Sequence, residues 1–166
     1  MSKLLKHIIR DRSVVVATHH AEFSLSEWLP QVGAGGTAAD HPPAHLPAVV
    51  LAPEDDPQVL VDATGGDVNR LTLIAIDFPK FAEGRGFSTA YLLRQRYGYK
   101  GELRAVGDIG RDHLWQLHRV GFNAFDLRDG TDLYDALQAY EDFPERYQTS
   151  NDEALPLFRR REIAHG

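Results

Sequence analysis

Leu71-Thr72-Leu73-Ile74-Ala75-Ile76-Asp77-Phe78-Pro79 is the stretch on which the fold turns. From Leu71 to Ile76 it is apolar and partly β-branched, with no alternation of polar residues. That pattern predicts a strand covered on both faces, as in a parallel sheet flanked by other layers. The run then changes character at Asp77, and Pro79 ends any ladder the strand makes.

Working outward, the same alternation of apolar run and helical pattern recurs on both sides. Upstream, Pro47-Ala48-Val49-Val50-Leu51 is a short apolar run stopped by Pro53. Asp56-Pro57 follows it, an N-cap residue before a proline at the first helical position, and Gly65-Gly66 closes that helix. Downstream, Ser88 to Tyr97 reads as a helix closed by Gly98, Leu103 to Val106 as a strand interrupted by Arg104, and Arg111 to Val120 as a helix stopped by Gly121. Phe122 to Leu127 is the fourth strand. Leu133, Ala136, Leu137 and Tyr140 repeat at i, i+3, i+4 and i+7, which marks a last amphipathic helix.

Four strand–helix pairs with short connections imply an α/β domain with a mostly parallel sheet of four strands, or five if Ser13 to Ala17 joins. The pattern fits either a doubly wound sheet or a half-barrel. One domain is expected over residues 1–141, with the Gly/Ala/Pro-rich residues 33–47 as a flexible loop. Residues 142–166 lose periodicity and read as a tail.

Composition sets bounds on function. The 166 residues are 43% hydrophobic and 25% charged, enough for a core without staples. With no cysteine, a disulfide framework, a cysteine nucleophile, cysteine-ligated zinc and thiolate-held iron–sulfur clusters are excluded. A net charge of −6 argues against nucleic acid as partner, and the basic run Arg159-Arg160-Arg161 reads as a solvated end. No apolar run reaches the length of a membrane span, and residues 1–7 lack the form of a secretory signal, so a cytoplasmic protein is expected. The histidines do not pair at ligand spacing: His19 and His20 are adjacent, His41 and His45 lie in the proline-rich loop, and His113 and His118 are five apart. Neither a metal nor another cofactor is expected.

Parallel α/β sheets gather ligands at the carboxyl ends of their strands, and here the loops at those ends are the polar ones. After Ile76 comes Asp77 to Ser88, after Val106 comes Gly107 to His113, and after the fourth strand comes Arg128-Asp129-Gly130-Thr131-Asp132. In the first loop, Arg85, Gly86 and Ser88 suit an anion site: glycine permits close backbone approach, Ser88 reads as a helix N-cap, and Arg85 supplies a guanidinium. A plain turn with a capped helix accounts for the same residues. Asp77, Asp108, Arg111 and Asp112 are candidates for acid–base chemistry or for orienting an anionic substrate, and helix capping by Asp108 and Asp112 is the structural alternative. Arg94 falls inside its helix's apolar arc and needs a buried partner, for which Asp77 and Asp108 are the candidates.

Phe78-Pro79-Lys80-Phe81-Ala82-Glu83-Gly84-Arg85-Gly86-Phe87-Ser88, continuing through Thr89 to Arg94, Gly98 to Asp108 and Gly121 to Phe125, resembles the DUF934 family of small bacterial proteins. The resemblance spans about residues 46–140. It implies a link to assimilatory sulfite reduction and cysteine biosynthesis, since members are described as oxidoreductases of that process. The chain departs from the family's commoner residues at Glu83, His113 and Val120, where aspartate, glutamine and cysteine are more usual. A thiol-dependent step at position 120 is therefore closed to this protein.

Three functions fit these readings. The first is an accessory protein of sulfite reduction that binds sulfite, sulfate or a phosphate-like anion, or a sulfite reductase component. The second is a small lyase- or isomerase-type enzyme acting on an anionic substrate through Asp77, Asp108 and Arg111. The third is a non-catalytic, homodimeric interaction module.

Overall fold

The computed structural model describes residues 6–17, 23–35, 46–80 and 84–141. Most of the 33–47 loop, His19, His20, His41, His45, the C-terminal tail and its basic run lie outside the described residues. The elements begin with strands β1 (His7–Arg10), β2 (Ser13–Val16) and β3 (Phe23–Ser24), helix α1 (Leu25–Gly35) and strand β4 (Val49–Leu51). Next come α2 (Pro57–Ala63), β5 (Leu73–Phe78), α3 (Arg85–Gln95) and β6 (Glu102–Gly107). Last are α4 (Leu114–Arg119), β7 (Ala124–Phe125) and α5 (Leu133–Glu141), with single 3-10 turns at Val68–Arg70 and Arg111–His113.

The expected four- or five-stranded, mostly parallel sheet is, among the described residues, a seven-stranded mixed one of order β2-β1-β7-β6-β5-β4-β3. Strands β3 to β7 run parallel in chain order, while β1 is antiparallel to both β7 and β2. The extra strands were hidden for local reasons. β1 holds only two apolar residues, and β3 is two residues long. The β1–β2 hairpin turns through Asp11 and Arg12, both left-handed at φ 50° and 64°. A two-residue turn with positive φ at both positions matches strand twist, but it usually announces itself with Asn-Gly or Asp-Gly.

Unbroken chain order across β3 to β7 rules out the doubly wound arrangement, which needs a reversal of strand order. Right-handed crossovers in one direction place every helix on the same face. The core agrees. Ile9, Val49, Leu51, Ile74, Ile76, Phe78, Leu103, Ala105 and Phe125, all of one strand parity, form a single cluster with residues of all five helices.

The second face carries the opposite parity. Ile8, Leu73, Ala75 and Ala124 are buried on it, as is Arg104, 3% exposed. Ala75, Arg104, Ala124 and Arg10 lie in register across four adjacent strands. Glu102 accepts from Arg104 at 2.7 Å and from Arg10 at 3.5 Å. A buried charge persists only with such partners, so this face is polar at its centre.

Candidate functional site at the carboxyl-end rim of the sheet

Adjacent parallel strands deliver their carboxyl ends to one rim, and the polar loops expected there do converge. Asp77 is the next-to-last residue of β5 and shares its strand parity with Leu73 and Ala75, on the face away from the helices. Beside it, Gly107 ends β6 at φ +101°, and a Cβ there would stand 2.5 Å from both Asp77 Oδ1 and the Phe78 carbonyl oxygen. Only glycine lets these two strand ends lie so close. The Asp108 N–H donates to the Phe78 carbonyl at 2.7 Å, locking the β6 loop onto the β5 loop.

Arg128, just past β7, joins the same corner. Its N–H donates to the Ile109 carbonyl at 2.9 Å, and its guanidinium pairs with Asp108 at 3.2 Å. The guanidinium lies against Gly110, and a Cβ there would force it to shift. The Gly110 N–H in turn donates to His113 Nδ1 at 3.0 Å, drawing residues 110–113 into a 3-10 turn. Partial burial, with the Arg128 cation nearby, lowers the His113 pKa. Next along the rim, Lys6 pairs with Asp126 at 2.9 Å.

Burial, with the Glu54 carboxylate as a second cause, raises the Asp77 pKa, and the Phe78 backbone N–H opposes the shift. The rim thus combines a carboxyl group that holds its proton more tightly than usual with two cations, Arg128 and Lys6, each beside a carboxylate. Such a set can attract an anion and exchange a proton with it.

The candidate residues are not all gathered there. Asp77 and Asp108 meet at neighbouring strand ends. Arg111 turns away to Asp135 of α5, at 2.6 Å between two half-exposed side chains. Asp112 is exposed in the same 3-10 turn. In the first loop, α3 begins at Arg85, so Ser88 is not the N-cap; its N–H donates to the Gly84 carbonyl at 3.4 Å within the helix. The N-cap is Gly84, and among the described residues no side chain caps that end. Gly86 packs against strand β5: a Cβ there would fall 2.6 Å from the Phe78 ring. Arg85 is exposed.

Arg94 takes neither carboxylate expected of it. Nε donates to the Gly121 carbonyl at 2.8 Å, and Nη1 to those of Tyr99 and Gly101 at 2.8 and 2.9 Å. Nη2 reaches Asn123 Oδ1 at 3.3 Å. Two glycine-marked turns, after α3 and after α4, leave carbonyls without ladder partners, and the guanidinium fork collects them. The sequence places Arg128 in a rim loop but gives it no role, and it does not single out Lys6 or Asp126. Asp126 and Arg128 sit directly at a strand end and carried that signal, whereas Lys6 reaches the rim only because β1 inserts beside β7.

Among the described residues no three histidine or acidic side chains gather as a metal would require, and no helix is long and apolar enough to cross a membrane. The family described as "Bacterial protein of unknown function (DUF934)" matches residues 48–158, and the chain belongs to it. No curated protein and no solved structure matches the chain.

Proposed function

We propose that this DUF934 protein is an accessory factor of assimilatory sulfite reduction that binds a small oxyanion, sulfite or sulfate, at the carboxyl-end rim. The observation that carries the reading is the convergence of Arg128 and Lys6 on the strand ends beside Asp77 and Asp108. The pathway comes from the family resemblance, and the ligand class from the cations. Arg85, exposed at the start of α3, is a further donor for the same anion.

Thermal unfolding in sulfite, sulfate, phosphate and chloride at matched ionic strength tests the ligand. At one hundred times its Kd a ligand adds about 2.7 kcal/mol to stability. Sulfite or sulfate should raise the midpoint of the wild type, and much less that of Arg128→Ala or Arg85→Ala. Coincident melting curves in all four salts would remove the oxyanion from the reading. A pull-down with purified sulfite reductase tests the pathway separately.

A second reading is favoured by the raised pKa of Asp77: a lyase- or isomerase-type enzyme in which Asp77 exchanges a proton with an anionic substrate held by Arg128. Its activity should fall steeply in Asp77→Asn while oxyanion binding persists.

A further inference from the structure

On the helix layer, away from the rim, a groove runs between α3 and α4. It consists of two adjoining hollows of about 380 and 390 Å³ that share Phe87 and Val120. Ser88, Tyr91 and Leu92 line the α3 side, and Gln116 and Arg119 the α4 side. Phe87 and Tyr91, like Ser88 and Leu92, stand four residues apart, so α3 offers two parallel ridges along the groove. Tyr91 is 48% exposed, among the most exposed large hydrophobic residues described.

The charge of this surface opposes that of the chain. The net charge of the whole is −6. Yet neither α3 nor α4 contains a carboxylate, and the charged residue that lines the groove is the cation Arg119. Arg119 lies over the Trp115 ring at 4.7 Å, which fixes its guanidinium at the groove's edge. Among the described residues no carboxylate pairs with Arg119.

We propose that the α3–α4 groove docks an acidic amphipathic helix of another protein. Apolar side chains at i, i+3 or i+4 and i+7 fill the hollows along Phe87, Leu92 and Val120, and a flanking carboxylate meets Arg119. Helix-in-groove recognition needs this combination of an apolar floor with spaced anchors and complementary charge at the edges. A second copy of this chain is the poorer occupant, because a two-fold contact would set this basic face against itself. The groove is independent of the rim, so failure of oxyanion binding would leave it standing.

The test is selection from a phage-displayed library of random 16-residue peptides on the wild type, with counter-selection on Tyr91→Glu/Arg119→Glu. Both positions are at the surface, and circular dichroism checks that the double variant is folded. Enriched peptides should carry net negative charge and apolar residues at helical spacing, and bind the wild type at least tenfold tighter than Arg119→Glu by fluorescence anisotropy. No enrichment over the double variant, or enrichment of peptides without acidic residues, would overturn the proposal. So would a wild-type dimer in sedimentation equilibrium that Tyr91→Glu dissociates, since the face would then be a self-contact.

Discussion

Replacing Arg94 by methionine keeps most of the side chain's volume and removes its four donated hydrogen bonds. Three of the acceptors are main-chain carbonyls, of Tyr99, Gly101 and Gly121, in the turns that follow α3 and α4. A hydrogen bond to a charged group contributes about 1.5–3 kcal/mol, and an acceptor left unmet in a buried place costs about 1–3 kcal/mol. Water can reach some of these groups, since the site is only part-buried, so the contributions do not simply add. Arg94→Met should lose about 3–5 kcal/mol, a large share of the 5–15 kcal/mol that stabilises an ordinary domain. Urea unfolding followed by circular dichroism reads this as a fall in midpoint of about 2 M at an unchanged slope. Arg94→Lys should fall between the two, because a single ammonium cannot span acceptors on both turns. A loss below about 1 kcal/mol in Arg94→Met would refute the claim that the guanidinium holds the α3 and α4 turns together.

Gly107→Ala should destabilise by at least about 2 kcal/mol and disturb the rim, because its φ is +101° and the new methyl would meet Asp77 and the Phe78 carbonyl; urea midpoints, with the Asp77 titration by NMR, check both effects. Asp77→Asn is expected to be at least as stable as the wild type at pH 7. Its raised pKa means that the folded state binds the proton more tightly than the unfolded state. The stability Asp77 contributes is therefore full in acid and is lost as pH climbs from the ordinary aspartate range through the raised value. The advantage of the asparagine variant should shrink as pH is lowered through that window, as thermal midpoints between pH 3 and 8 would report, and a variant less stable than the wild type at pH 7 contradicts the burial argument.

The amino-acid sequence by itself determined the α/β class, the helix start at Asp56-Pro57, and the meeting of Asp77 and Asp108. Each of these follows from local rules: apolar runs make covered strands, Asp-Pro starts helices, and parallel strands end on a common rim. Asp56 does cap α2, accepting from the Gln58 N–H at 2.9 Å, with Pro57 at the first helical position. Only the tertiary structure decided what depends on neighbours distant in sequence. The β1–β2 hairpin, turning on Asp11 and Arg12, inserts beside β7 and brings Lys6 to Asp126. The α3 helix starts one turn before Ser88, which moves that serine from the helix cap into the helix. Arg94 bonds carbonyls rather than a carboxylate, because unsatisfied backbone acceptors leave no mark in a sequence. Side-chain type and periodicity are written residue by residue, whereas strand order and the destination of a buried charge are properties of the packed chain.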